Sequence, residues 1–263
     1  ATGGYGINSF KYGHFSRWVE ALQVVDPDGT LHTVTSADPT FPLYFGSEGQ
    51  LGVITGVTLR VRPRPEIERP YLLYFDTLIE AFAFAHALAK AGLRPAHMKV
   101  IARQQMANLN RLHAEAHPQG RPLVAERDAL FLVFDDPKDE AAFQAFPLPR
   151  DEAPRHVAGV LWHERFFPMK VKRLGPTLLA SQVVLPIAEA AAFIQASARL
   201  GERFGVEIGS ETYIVDDGGA MKTLRPPSPV PRPNSRVAVI EGGDRPQALV
   251  MAWFTCDARR PSY

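Results

Sequence analysis

The stretch Gly46-Ser47-Glu48-Gly49-Gln50-Leu51-Gly52 carries three glycines and runs straight into Val53-Ile54-Thr55-Gly56-Val57-Thr58-Leu59-Arg60-Val61. Glycines at that density let the backbone adopt positive φ and approach a ligand with no Cβ in between. The run behind them is rich in Val, Ile and Thr and reads as a buried strand. A tight loop therefore feeds a strand, and its amides and carbonyls face whatever lies at the strand's start. A glycine-rich hairpin turn with no ligand is the alternative reading.

A second segment lies upstream, Gly3-Gly4-Tyr5-Gly6-Ile7-Asn8-Ser9-Phe10-Lys11-Tyr12-Gly13. Gly3, Gly4 and Gly6 half-match a Gly-x-Gly-x-x-Gly dinucleotide pattern. We reject that reading: within the sequence given no strand precedes the loop, no helical pattern follows, and no acidic residue closes a βαβ unit at the expected distance. Between the two segments, Ala21-Leu22-Gln23-Val24-Val25-Asp26-Pro27-Asp28-Gly29-Thr30-Leu31 reads as a hairpin turning at Pro-Asp-Gly. Thr40 to Phe45 reads as one short helical turn under the second glycine loop. Taken together, Gly3 to Gly13 and Gly46 to Thr55 resemble the second half of the flavin-binding domain of the FAD-linked oxidases, the vanillyl-alcohol oxidase / glycolate oxidase family. The likeness is strong over residues 1 to about 65 and looser beyond.

Arg62-Pro63-Arg64-Pro65 marks a boundary, because proline cannot donate to a strand ladder; its arginines read as a solvated linker. Beyond it, strand-like and helical stretches alternate. Strands are expected at 71–75, 97–102, 129–134, 156–161, 178–185, 206–215 and 249–255. Helices are expected at 78–91, around Met106 to Leu112, after Pro137, over 162–174, and from Pro186 to Phe204. The order implies an antiparallel sheet covered by helices lying on one side of it, an α+β arrangement. Residues 216–235, with Asp216-Asp217-Gly218-Gly219 and five prolines, read as a long loop. The resemblance implies an α+β fold of two parts. Residues 1–65 form the second half of a PCMH-type FAD-binding domain, and 66–263 form a cap that lies over the flavin and builds the substrate pocket.

Composition sets the outer bounds. With 46% hydrophobic and 22% charged residues over 263 positions, the chain has a core and room for two domains. Its 29 basic and 28 acidic residues give a net charge of +1, no electrostatic reason to expect nucleic acid or an anionic membrane. The single cysteine, Cys256, excludes an internal disulfide, suits a reducing, cytoplasmic compartment, and reads as inert. No apolar run nears the ~18–20 residues that span a bilayer, and no basic-then-apolar leader opens the chain. Because the sequence opens inside a glycine loop without Met, we expect the front of the flavin domain to lie outside it. The fragment by itself is then expected to bind FAD poorly.

FAD is anionic at its pyrophosphate and otherwise planar and largely apolar. Glycine-loop amides suit the phosphates, since they present fixed dipoles without burying a charge. The resemblance places Gly3, Gly4, Gly6 and Gly13 beside the pyrophosphate and ribityl chain. It places Gly49, Gly52, Val53 and Ile54 along the adenosine. Glu48 either caps local amides or touches the ligand. On the substrate side, relatives that oxidise 2-hydroxy acids carry a cap arginine after a Leu-Trp pair. Leu161-Trp162-His163-Glu164-Arg165 matches, which makes Arg165 a candidate clamp for a substrate carboxylate; a surface salt bridge to Glu164 or Asp151 is the other reading. His163 is a candidate flavin-side base or a surface histidine. Metal-dependent relatives carry a lysine on a strand ending in proline and a His-rich Gly-Asp-Gly segment. Here Ala180 stands near the lysine position, and Gly209 to Gly219 contains no histidine. No metal is therefore expected, and the 2-hydroxy acid is put in question. His113 and His117 have helical metal spacing but no third ligand, and read as solvent-facing. Glu207 and Glu211 read as the solvated face of a strand.

The resulting expectation is an FAD-dependent oxidoreductase that oxidises a hydroxy acid or alcohol by hydride transfer to flavin. It takes a small-molecule substrate and has a possible electron-accepting partner subunit. The alternatives are a non-catalytic flavin-binding accessory subunit of a glycolate-oxidase-like complex, and a cap-type binding module without flavin.

Overall fold

The computed structural model describes residues 5–146, 151–165, 168–175, 177–216 and 246–256. Gly3 and Gly4, and the loop expected over residues 216–235 except for Asp216, lie outside these described residues.

A one-turn helix, α1 (Ser9–Tyr12), follows the first glycine segment. Strands β1 (Val19–Val25) and β2 (Leu31–Thr35) form the hairpin, and β3 (Val53–Leu59) pairs with the other edge of β1, so the order is β2-β1-β3, all antiparallel. A 3₁₀ turn at Phe41–Tyr44 packs Phe41 and Tyr44 against Val19, Leu22, Val24 and Val34. The sequence reads β3 as buried. The structure corrects this: Val53 and Val57 are 64% and 48% exposed, and only Ile54 leans on the small core. β3 is the outer strand of the described sheet, so its β-branched run meets solvent on one face and has a free ladder edge.

Among the described residues the second sheet has seven strands: β4 (Arg69–Phe75), β5 (His97–Ile101), β6 (Asp128–Phe134), β7 (Asp151–Glu152), β8 (Thr177–Pro186), β9 (Gly209–Val215) and β10 (Gln247–Cys256). Their order is β7-β4-β6-β5-β9-β10-β8, antiparallel throughout. β6 is buried along its whole length, because helices cover both faces of the sheet. Leu130, Leu132 and Phe134 face α2 (Leu78–Lys90), α4 (Pro137–Gln144) and α6 (Ile187–Arg203). Ala129, Phe131 and Val133 face α3 (Arg103–Ala116) and α5 (Arg155–His163). The expectation of helices on one side is thereby corrected; the antiparallel sheet stands.

Local chemistry explains the helix ends. Thr77 and Glu80 close a capping box at the start of α2, and Gly92 with φ of 78° ends it, with Leu93 N–H returning to the Leu88 carbonyl. Asp136 caps α4 and Pro137 takes its first turn. Residues 156–161, read as a strand, belong to α5 instead. Val157, Ala158 and Trp162 are buried there at helical spacing, behind Pro154 at the N-cap. The helix expected over 162–174 reduces to a 3₁₀ stretch at Pro168–Leu174.

Of the linker arginines, Arg64 is exposed as expected, and Arg62 departs from the expectation. Arg62 is partly buried: its guanidinium lies 4.0 Å over the Tyr12 ring and 3.3 Å from Asp135 Oδ2. Asp135 also takes Lys11 Nζ at 2.7 Å and Tyr12 Oη at 2.6 Å. Burial works against the Asp135 charge, but these bonds outweigh it and hold its carboxyl below the usual range. This cluster fastens α1 and the linker to the end of β6.

Candidate functional site

The face of the large sheet under α3 and α5 is apolar at β4 and β6 and turns polar at β5 and β9. Lys99 lies opposite Tyr213, and Ile101 opposite Glu211. Lys99 Nζ donates to Glu211 Oε2 at 3.0 Å, and both side chains are largely withdrawn from solvent. Burial disfavours the ammonium, yet the Glu211 carboxylate outweighs it and raises the Lys99 pKa. Gln105 Nε2 donates to Glu211 Oε1 at 3.4 Å, while Gln105 Oε1 accepts from Trp253 Nε1 at 3.1 Å and Asn108 Nδ2 at 3.3 Å. Gly209 allows this knot to close: a Cβ there would sit 2.9 Å from Gln105 Oε1 and 3.0 Å from Asn108 Nδ2 and Trp253 Nε1.

His97 stands two residues before Lys99 on the same face. Its ring contacts Phe131, Trp162 and Tyr213, and Nδ1 donates to the Ile7 carbonyl at 2.6 Å. Burial first, then the Lys99 charge, lowers its pKa to about 3, so the imidazole is neutral. Tyr5 packs against Val184, Val215 and Leu249 on this same face. The first glycine segment thus runs directly over the polar part of the sheet.

Beside this centre is a cavity of about 360 Å³. Its floor is Lys99, Ile101, Glu211 and Tyr213; α3 contributes Leu109, Leu112 and His113, α5 contributes Val160 and Leu161, and Arg165 follows two residues after the end of α5. Lys170, Val171 and Arg173 close the remaining side. Arg165 lies with its guanidinium 4.0 Å over the Trp162 ring and donates to the Trp162 carbonyl at 2.7 Å. Its two expected salt-bridge partners are engaged elsewhere, Glu164 with Lys170 at 2.7 Å and Asp151 with Arg127 at 2.6 Å. His163, at the last turn of α5, is exposed and is not among the cavity-lining residues. His113 and His117 stack on each other at 4.3 Å and reach the cavity rim. Among the described residues no three His, Cys, Asp or Glu side chains converge.

A second, open groove of about 400 Å³ lies between the first glycine segment and the end of β3. Gly6, Asn8, Ser9 and Gly13 form one wall and Leu59 to Arg62 the other. Asn8 Oδ1 and Ser9 Oγ are buried with no hydrogen-bond partner among the described residues. Gly49 and Gly52 lie at the opposite end of β3, where Val53 pairs with Val25, while Leu59 pairs with Val19 at the groove end. Six strand steps of ~3.4 Å separate the two ends by about 20 Å. Any ligand touching both glycine loops must be extended along β3. Gly52, with φ of 142°, has no room for a Cβ, which would lie 2.7 Å from Val24 Cγ1; at Gly49, with φ of 84°, a Cβ would meet nothing. Glu48 holds φ of 51° and is exposed.

The polar sheet face was not legible as a site beforehand. Glu211, read as solvated, is instead buried against Lys99; Glu207 precedes β9 and pairs on the surface with Arg111 at 2.7 Å. The usable signal was the alternation His97-x-Lys99-x-Ile101, which puts a charge on the same strand face as a core residue.

Residues 64–228 match the family model for FAD linked oxidases, C-terminal domain. The chain is 29% identical over 113 residues to mitochondrial D-lactate dehydrogenase [cytochrome] 1 of Saccharomyces cerevisiae, covering 40% of this chain and 19% of that protein. It is 30% identical over 102 residues to glycolate oxidase subunit GlcD of Escherichia coli K12, covering 36% and 20% respectively. A solved structure of alkyldihydroxyacetonephosphate synthase superposes with a TM-score of 0.63 at 14% identity, over 97% of this chain and 50% of its own. The chain thus spans about a fifth of these curated relatives in aligned sequence, and half of the structural one. With more than half of its length matched by the family model, the chain belongs to the FAD-linked oxidases, whose cofactor is FAD.

Proposed function

We propose that this chain is the flavin-contacting and cap portion of an oxidoreductase that oxidises the CH–OH carbon of a small hydroxy acid. In this reading residues 1–65 are the second half of the FAD-binding domain and 66–263 the cap. The observation that carries it is the Arg165 guanidinium, stacked on Trp162 at the wall of a cavity whose floor holds Lys99 and Tyr213. A planar, permanently charged fork suits a carboxylate. By their printed names, D-lactate dehydrogenase, glycolate oxidase and D-2-hydroxyglutarate dehydrogenase act on hydroxy acids.

The residues present fit FAD. Asn8 Oδ1 and Ser9 Oγ are buried polar atoms in want of a partner, and they border the groove at Gly6 and Gly13. The free edge of β3 carries Val53 and Ile54 beyond Gly52, and Gly49 leaves its backbone approachable. We assign Gly6 and Gly13 to the phosphate and ribityl side, and Gly49, Gly52, Val53 and Ile54 to the adenosine side. Gly3 and Gly4 share the first role by the sequence likeness alone. When bound, FAD supplies the two-electron acceptor. Arg165 then holds the substrate carboxylate, and the apolar walls from α3 and α5 exclude water from it. Neutral His97 fixes the Ile7 main chain, and with it the first glycine segment, against the cap sheet.

Anaerobic mixing of the full-length flavoprotein with D-2-hydroxy acids tests this. Loss of the oxidised flavin absorbance in a saturable, Arg165-dependent manner is expected; a flavin that no hydroxy acid or alcohol reduces would sink the reading. A second reading has one specific support. β8 carries Ala180 where metal-dependent relatives carry lysine, and the described part of the following segment holds no histidine. A flavin-binding subunit that leaves turnover to a partner would show bound flavin and no bleaching.

A further inference from the structure

The cavity beneath Arg165 is larger than a two- or three-carbon hydroxy acid requires, and one part of it is aliphatic. Its volume of about 360 Å³ falls within the ~300–1,000 Å³ range of clefts that hold ligands much bigger than lactate. Its lining is also divided. Arg165, Tyr213 and the Lys99–Glu211 ion pair make up its polar part. Away from them, Leu109, Leu112, Leu123 and Leu161 line the cavity half-buried, and Val160 is 37% exposed. Leucines on facing elements would normally bury one another in a close-packed interior. Here α3 and α5 are held apart, with the 3₁₀ stretch at Pro168–Leu174 packed on α3 through the Arg173–Glu115 pair at 2.6 Å. The result is a slot with a charged, polar end that holds Arg165 and an aliphatic body.

We infer that this slot takes an amphiphilic substrate, a 2-hydroxy acid whose carboxylate meets Arg165 and whose aliphatic tail of several carbons lies between α3 and α5. The inference rests on the hydroxy acid reading above and narrows it to a substrate class. Each methylene drawn from water into such a slot contributes about 0.8 kcal/mol, a factor of about four in affinity. A tail of three further methylenes beyond lactate therefore raises kcat/KM by about 60-fold.

Two measurements on the full-length holoenzyme test it. The first is kcat/KM for flavin reduction by glycolate, lactate, 2-hydroxybutyrate, 2-hydroxyhexanoate and 2-hydroxyoctanoate. A rise of several-fold per methylene up to a plateau is expected; a flat or falling series overturns the inference. The second is calorimetric binding of unreactive acetate, butyrate, hexanoate and octanoate, which needs no turnover. Octanoate is expected to bind far more tightly than acetate, and the gap is expected to shrink several-fold in Leu112→Ser. Equal affinities along this series, or a gap untouched by Leu112→Ser in a variant shown by circular dichroism to be folded, overturn the inference. If the carboxylates follow chain length but no hydroxy acid reduces the flavin, the slot stands as an amphiphile site and it is the oxidation that is refuted.

Discussion

The Nδ1 of His97 lies 2.6 Å from the main-chain oxygen of Ile7, ninety residues earlier in the chain. A carbonyl can only accept, so Nδ1 carries the proton and the ring is held in one tautomer. This bond ties the first glycine segment to the cap sheet and commits the buried imidazole to its neutral form. The unfolded chain takes up a proton near pH 6.5, whereas the folded chain does so only near pH 3. Between those values the unfolded state binds more protons, so stability falls as pH drops through the window. The slope from this one group reaches ~1.4 kcal/mol per pH unit. Urea unfolding at about pH 7 and about pH 5 measures it. His97→Asn is expected to lower stability at neutral pH and to flatten this part of the slope. An unchanged slope would contradict a neutral His97.

Lys99 and Glu211 should be strongly coupled. Lys99→Met or Glu211→Gln leaves one buried group facing a missing partner, at a cost of ~3–5 kcal/mol when the survivor is charged. The double variant Lys99→Met/Glu211→Gln removes both charges and should cost well under the sum. A double-mutant cycle in urea gives the coupling directly, with ~1–3 kcal/mol expected. Additive single effects would mean that the 3.0 Å contact carries no energy.

The two glycines flanking the second loop should separate packing from ligand approach. Gly52→Ala forces a Cβ to within 2.7 Å of Val24 Cγ1 and 2.9 Å of the Val25 carbonyl, so the three-stranded sheet must shift. A loss of stability above ~2 kcal/mol is expected. Gly49→Ala meets no atom, and its left-handed φ alone costs ~1–2 kcal/mol. If Gly49 admits FAD to the backbone, Gly49→Ala weakens flavin retention more than its modest stability loss explains. Thermal unfolding and flavin occupancy, measured together, decide this. Normal retention in a stable Gly49→Ala protein would remove Gly49 from the cofactor site.

Much of this architecture could be read from residue pattern. The β1–β2 hairpin follows from Pro27-Asp28-Gly29, α2 from its capping box and Gly92, and β6 from an unbroken apolar run. α5 was misread because Val157 and Val160 favour strands locally, while burial of Val157, Ala158 and Trp162 against β4 and β6 decides the matter through tertiary contact. The exposure of β3 was not readable either, since composition does not say which neighbours a strand has. Arg165 could be named as a candidate because it follows Leu161-Trp162, and it lines the cavity. Lys99 and Glu211 were missed because each looks like a surface charge until the register brings β5 and β9 together.

The most direct test of the account is the substrate dependence of anaerobic flavin bleaching in wild-type protein and in Arg165→Met. We predict that a D-2-hydroxy acid bleaches the wild-type flavin. We predict also that Arg165→Met needs at least ~10-fold more substrate for half-maximal rate, the loss of a charge-assisted bond of ~1.5–3 kcal/mol, with a smaller change in the limiting rate. Equal concentration dependence in the two proteins, or no bleaching in either, would contradict it.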